Sequence, residues 1–87
     1  MARVVLARSA RAALLRLDWQ RLDAIEDALG LLEREPCAGH ELQGRLRGLR
    51  SLRVGSYRII YQLDEGRGAV RVVAIRHRSA AYGTDPR

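Results

Sequence analysis

Hydrophobic positions follow two different periods along the chain, and the change of period predicts the order of its elements. Residues 3–6 form a short β-type run (RVVL), which predicts a first strand. Two sets of apolar residues then recur at helical spacing: Ala10, Ala13, Leu14 and Leu17, followed by Leu22, Ile25, Leu29 and Leu32. Ser9 and Asp18 are the predicted N-caps of these helices. We expect the second helix to run from Trp19 to Arg34 and to end before Pro36.

The second half of the chain alternates apolar and polar residues with the period of a β-sheet. Strands are predicted at residues 49–54, 57–63 and 70–77, with a two-residue turn at Gly55-Ser56 and a second turn at residues 64–68. The order β-α-α-β-β-β predicts one α+β domain over residues 1–87, a mainly antiparallel sheet packed on one face by a helical hairpin. Tyr57 and Tyr61 are expected in its core, and Trp19 is expected to anchor the junction of the two helices.

Composition narrows the class of protein. The chain has 87 residues, of which 47% are hydrophobic and 30% are charged, as is typical of a small globular domain. Its apolar stretches are too short to span a membrane, so we expect no membrane association and a cytoplasmic location. Cys37 is the one cysteine and the two histidines are His40 and His77, which is too few for a disulfide and a poor basis for a zinc site. No metal or cofactor is expected.

The net charge of +6 is unevenly distributed. Residues 1–17 carry +4, residues 18–41 carry −5 and residues 42–87 carry +7, and all 16 cationic side chains are arginines. Guanidinium groups are planar forks suited to phosphate, so the third block predicts a polyanionic partner. A codon bias toward arginine explains the absence of lysine equally well. Arg67 and Arg71 are interpreted as ordinary surface charges.

Two motifs in the third block carry a family resemblance. Residues 52–61 (LRVGSYRIIY) form a hairpin of the pattern R-x-G-x-Y-R, and residues 76–82 (RHRSAAY) form a closing H-R-x-x-x-Y element. Both resemble the RelE/ParE toxin superfamily of type II toxin–antitoxin systems, as do the L-x-G stretches that begin at Leu42 and Leu46. The RelE side of the family is the more similar. That resemblance implies a ribosome-dependent endoribonuclease that cleaves mRNA in the A site and inhibits translation.

The resemblance also implies roles for six residues. Arg58 and Arg76 would be catalytic, because an anionic phosphorane requires fixed positive donors. Tyr82 would stack on a base and assist activation of the ribose 2′-hydroxyl. RNA would be bound by Arg50, Arg53 and Arg78.

The sequence leaves the proton acceptor open. Arginine stays protonated and cannot accept the 2′-hydroxyl proton. Tyr82 or a group of the ribosome would have to do so. The family often carries lysines where Leu49 and Ser51 stand, so one candidate base is missing. His77 is an alternative, although alternation places it on the face opposite Arg76.

Partners and alternative functions follow from the same resemblance. It implies a cognate antitoxin, the ribosome and mRNA as partners, and operator DNA only in complex with the antitoxin. The charge of +6 predicts that the antitoxin is acidic. Because ParE-type inhibitors of DNA gyrase share the fold, gyrase inhibition is one alternative. A catalytically weak member that acts mainly as a co-repressor with its antitoxin is another.

Overall fold

The computed structural model describes residues 1–77, which form two helices on one face of a five-stranded sheet. The strand order is β1-β5-β4-β3-β2, with β1 parallel to β5 and every other pair antiparallel. Short 3₁₀ turns at Gly44–Leu46 and Glu65–Arg67 precede β3 and β5. The helices and strands are β1 (Arg3–Leu6), α1 (Arg8–Leu14), α2 (Trp19–Arg34), β2 (His40–Glu41), β3 (Arg50–Val54), β4 (Tyr57–Asp64) and β5 (Ala69–His77).

The predicted fold class is confirmed, with one additional strand. β1 and α2 have the predicted bounds, and each of the three later strands differs from its prediction by one residue at one end. The two-residue strand β2 was not predicted, because a strand of this length has no periodicity to detect. It adds to the outer edge of β3, where His40 and Glu41 pair with Ser51 and Arg50.

The core lies between the helices and one face of the sheet. Ile25 and Leu32 of α2 are buried, as predicted, and Leu29 packs against the core. The buried side chains that the sheet contributes to this core are Ile59, Tyr61, Val70, Val72 and Ile75, and Tyr57 is partly buried beside them. The expected core position of Tyr61 is therefore confirmed.

The prediction for Trp19 is wrong. Its side chain is 75% exposed, and the neighbouring Leu15 is 83% exposed. Trp19 is the first residue of α2, and burial on the sheet begins more than one turn later, at Ile25. The apolar pattern of α2 therefore extends to Trp19, although the first turn of the helix does not pack on the sheet.

One predicted helix cap is confirmed and the other is wrong. Asp18 caps α2, with a side-chain oxygen accepting from the backbone N–H of Arg21 at 2.9 Å. α1 instead begins at Arg8, after Ala7, because pairing with β5 continues to an Ala7 N–H···O=C Val72 bond of 2.8 Å. The Ser9 hydroxyl is then two positions past the N-cap and donates to the Val73 carbonyl at 2.8 Å.

A β-bulge in β5 changes which residues share a face. Ile60 pairs with Ala74, but the next residue, Tyr61, pairs with Val72, so Val73 is an extra residue. Because of this extra residue, two side chains of β5 on opposite sides of Val73 lie on the same face when an odd number of positions separates them. As a result, Arg71 and Arg76 point to the same side of the sheet.

Candidate functional site

Three arginines lie side by side on the face of the sheet that the helices leave open. Arg53 of β3 pairs with Arg58 of β4, which pairs in turn with Arg76 of β5. Alternation puts them opposite the buried Ile59 and Tyr61. Because neighbouring strands are about 4.8 Å apart, the three Cα atoms span about 10 Å. We call these three residues the arginine row.

The central residue of the row is held in place by a neighbour. The Arg58 Nη1 atom donates to the Ser51 hydroxyl at 3.0 Å, and Ser51 is only 2% exposed. Ser51 precedes Arg53 by two residues in β3, so both side chains lie on the open face. The position at which the family often carries lysine thus supports Arg58 here. The alternation in the hairpin is the sequence signal that could have identified this contact.

The electrostatics of the row favour an anionic ligand. Two like-charged cross-strand pairs are each destabilising in the free protein. A phosphate group placed over the row would accept charge-assisted bonds from forks that are already side by side.

Arg50 does not join the row. It pairs with Tyr61, which puts it on the helix-covered face. Its Nη2 atom donates to the carbonyls of Gly39 at 2.7 Å and Cys37 at 3.1 Å. The guanidinium therefore fastens the segment after α2 to β3. This geometry gives Arg50 a structural role and separates it from the arginines predicted with it.

His77 also lies on the other face, as alternation predicts. It pairs with Tyr57, and the two rings meet edge to face with centroids 5.1 Å apart. The contact directs His77 away from the arginine row.

Two predicted site residues, Arg78 and Tyr82, lie outside the described residues. Within residues 1–77, no cluster of three or more histidine, cysteine or carboxylate side chains is arranged to hold a metal ion. Over the same span, no helix is both long and apolar enough to cross a membrane. The described site thus consists of the row and its Ser51 support.

Comparison with known families finds one matching family model. Residues 4–82 match the model of the ParE toxin of the type II toxin–antitoxin system parDE. The match includes both motifs identified in the sequence and every strand and helix described above, except the first residue of β1.

Two toxins of Mycobacterium tuberculosis are similar in sequence. Toxin RelE is 42% identical over 48 residues, which are 55% of this chain and 50% of that protein. Toxin RelG is 37% identical over 59 residues, which are 67% of this chain and 68% of that protein. The matched region therefore spans half the length of the first relative and about two thirds of the second.

Solved structures show the same fold. A chain of the toxin–antitoxin complex RelBE2 from Mycobacterium tuberculosis has a TM-score of 0.81 and 35% identity, covering 90% of this chain and 92% of that one. The isolated E. coli RelE toxin has a TM-score of 0.78 at 17% identity, covering 97% of this chain and 94% of that one. At that identity the second likeness concerns the fold alone.

Proposed function

Because the chain belongs to the ParE toxin family of type II toxin–antitoxin systems, within the RelE/ParE superfamily, we propose that it is a ribosome-dependent endoribonuclease. Its substrate is mRNA in the ribosomal A site, and cleavage there inhibits translation in the cytoplasm. The observation that carries the proposal is the arginine row on the open face of the sheet. Similarity to toxins named RelE and RelG favours this activity over gyrase inhibition.

The proposed reaction is a transesterification within the RNA, assisted by side chains of the protein, with Tyr82 or a group of the ribosome as the proton acceptor. The ribose 2′-oxygen forms a bond to the adjacent phosphorus, the bond from phosphorus to the 5′-oxygen breaks, and a proton moves from the 2′-hydroxyl to the leaving oxygen by way of an acceptor. Negative charge on the phosphoryl oxygens increases along this path. We assign Arg58 to those oxygens, since it is central in the row and held by Ser51, and its neighbour Arg76 to the charge on the phosphate or on the leaving 5′-oxygen.

The remaining roles rest on the family resemblance. Tyr82 stacks on a base beside the scissile phosphate and assists the 2′-hydroxyl, and Arg78 binds the RNA backbone. Arg53 binds the next phosphate along the row. Arg50 is omitted from the RNA-binding set because its guanidinium is bound to backbone carbonyls.

We further propose a cognate antitoxin as the protein partner. Several of the similar structures are toxin–antitoxin complexes. The net charge of +6 favours an acidic antitoxin segment, which would bind the toxin and prevent it from entering the ribosome. Operator DNA would be bound only by the toxin–antitoxin complex.

Inducing the protein in bacteria and mapping mRNA 5′ ends and plasmid supercoiling together tests the proposal. We expect new ends within translated messages and unchanged supercoiling. Arg58→Gln and Arg76→Gln should each lower cleavage by about 10²–10³-fold, the effect of removing one donor to a developing oxyanion. Arg34→Gln, an exposed arginine in the last turn of α2, makes the same change of charge and should leave cleavage intact.

Two outcomes would overturn this assignment. Gyrase poisoning with intact messages would identify a ParE-like inhibitor. Normal growth and intact messages, with operator binding in the presence of antitoxin, would identify a co-repressor. Purification of each variant with its antitoxin checks that lost activity is not lost folding.

A further inference from the structure

A second group of cations lies on the same open face, at the end nearer β1. Arg71 of β5 pairs with Gln62 of β4 on one side and with Val5 of β1 on the other. Arg3, Arg67 and Arg71 line a shallow cleft there together with Val5, Asp64 and Ala69. The bulge at Val73 is what brings Arg71 to the face that carries Arg76. We call Arg3, Arg67 and Arg71 the second pole, and the arginine row is the first pole.

The second pole keeps a positive charge in the free protein. Asp64, a carboxylate that lines the same cleft, forms an ion pair with Arg67, with 3.8 Å between Asp64 Oδ2 and Arg67 Nε. Among the ion pairs between residues 1 and 77, none includes Arg3 or Arg71. Both side chains are exposed, so both reach solvent and any ligand on this face.

Uncharged side chains of β4 and β5, which we call the floor, separate the second pole from the arginine row. Between Arg58 and Gln62 on β4 lies Ile60, which is paired with Ala74 of β5 and Ser51 of β3. Ile60 and Ala74 are partly buried and present an uncharged, apolar surface. Four residues of strand separate the two charged rows by about 13 Å. This separation is long enough for the two groups of arginines to bind different phosphates of one strand.

We infer that the second pole is a second phosphate-binding subsite for the same RNA strand. The inference rests on the proposed function and extends it from one phosphate to a run of nucleotides. A single strand alternates charged phosphates with flat apolar bases, and this face alternates pole, floor and pole. At a stacked rise of about 3.4 Å per nucleotide, about 13 Å corresponds to about four nucleotides, and to fewer when the strand is extended. The subsite thus sets a minimum length of RNA for full affinity.

Arg71 is a positioning residue in this arrangement, because it contacts a phosphate far from the bond that breaks. Its loss should weaken binding without slowing the chemical step. In a translation reaction, Arg71→Gln should raise the toxin concentration needed for half-maximal cleavage and leave the rate at saturation unchanged. Arg58→Gln should lower the rate at saturation.

A binding experiment without the ribosome separates this inference from the proposed function. The full chain is titrated with 2′-O-methyl oligonucleotides, which cannot be cleaved, as a dinucleotide and as an oligomer long enough to reach both poles. Arg71→Gln should weaken the oligomer by about tenfold, the effect of losing one charged hydrogen bond, and leave the dinucleotide unchanged. The dependence of log affinity on log salt should fall by about 0.7 for the lost phosphate contact. Arg3→Gln should act in the same direction, and Arg34→Gln should have no effect.

The outcomes are distinct. Equal weakening of both lengths, or of neither, overturns the second subsite whatever the cleavage assays show. If Arg71→Gln spares RNA but weakens an oligoglutamate peptide, the pole is a protein-binding site instead. If Arg71→Gln weakens binding of the oligomer alone but the protein cleaves no mRNA in bacteria, the second subsite stands and the proposed nuclease activity is rejected. Because Arg71 is exposed, its substitution leaves the core intact, and an unchanged melting temperature verifies this.

Discussion

At the scale of single residues, a buried contact fixes the backbone beneath the arginine row. The Tyr61 hydroxyl accepts the N–H of Gly39 at 2.9 Å, and the tyrosine is fully buried. Gly39 itself is tightly enclosed, since a Cβ atom there would lie 2.5 Å from the Ser51 carbonyl oxygen. Arg50 bonds the carbonyls on either side of Ala38. These three contacts hold the segment after α2 against β3, the strand that carries Ser51 and Arg53.

Tyr61→Phe should therefore lower the free energy of unfolding by about 1–3 kcal/mol, because it leaves the buried Gly39 N–H without an acceptor. Urea denaturation followed by circular dichroism measures the change. Tyr57→Phe is the matched control, since Tyr57 is only partly buried, and it should change stability by less than about 0.5 kcal/mol. Equal losses in the two variants would contradict the role assigned to Tyr61.

At the scale of elements, α2 depends on its cap at Asp18. The backbone N–H of Arg21 donates to this carboxylate and is the main reason that the pKa of Asp18 lies below its ordinary value. The Arg21 guanidinium, whose Nη1 atom is 2.6 Å from the carboxylate, adds to the effect. The charged form is therefore favoured in the folded state.

A depressed pKa predicts a loss of stability in acid. The contribution of Asp18 is present above the unfolded pKa and disappears as the pH falls below about 4, through the folded pKa. Asp18→Asn keeps a capping oxygen that does not titrate. The melting temperature of the wild-type protein should exceed that of the variant at pH 7, and the difference should shrink progressively as the pH falls below about 4. A difference that stays constant with pH would exclude the carboxylate as its source.

Elements with a regular period were predictable from the sequence, and departures from that period were not. α2 and the β3–β4 hairpin have strong apolar patterns, and their registers place Arg53 opposite Arg58. The bulge at Val73 has no signal in a run of β-branched residues, so the sequence does not show that Arg71 and Arg76 share a face. For Arg50, the sequence does not show which groups the side chain contacts. Its strand was predicted, but the carbonyls that bind it belong to an irregular loop.

At the scale of the whole molecule, α2 and the open face of the sheet carry opposite charge. Exposed acids such as Asp23, Glu26 and Asp27 lie on α2, while the arginine row lies on the far side of the sheet. The separation creates a basic face suited to RNA and leaves like charges adjacent to one another. Function and stability are thus opposed on this surface.

Arg53→Gln should raise the free energy of unfolding by about 0.2–1 kcal/mol at low salt, since it removes a like-charged cross-strand pair. The gain should disappear at about 1 M salt, where screening is nearly complete. Thermal unfolding at the two salt concentrations measures both values. Arg34→Gln should instead lower the free energy of unfolding, because it removes a cation from the last turn of α2, where the helix dipole favours positive charge. A gain that persists at high salt would point to a cause other than charge.

The parallel pairing of β1 with β5 has a consequence for the order of folding during synthesis. It joins the start of the described chain to its end, as in the Ser9–Val73 bond between residues 64 positions apart. A nascent chain emerges with β1 first, and β1 has no partner strand until β5 has followed. Contacts of such long sequence separation form late. Arg71 and Arg76 both belong to β5, so the second pole and the arginine row both remain incomplete until this strand has left the ribosome. The ribosome that makes this chain is therefore not exposed to its assembled RNA-binding face during most of translation.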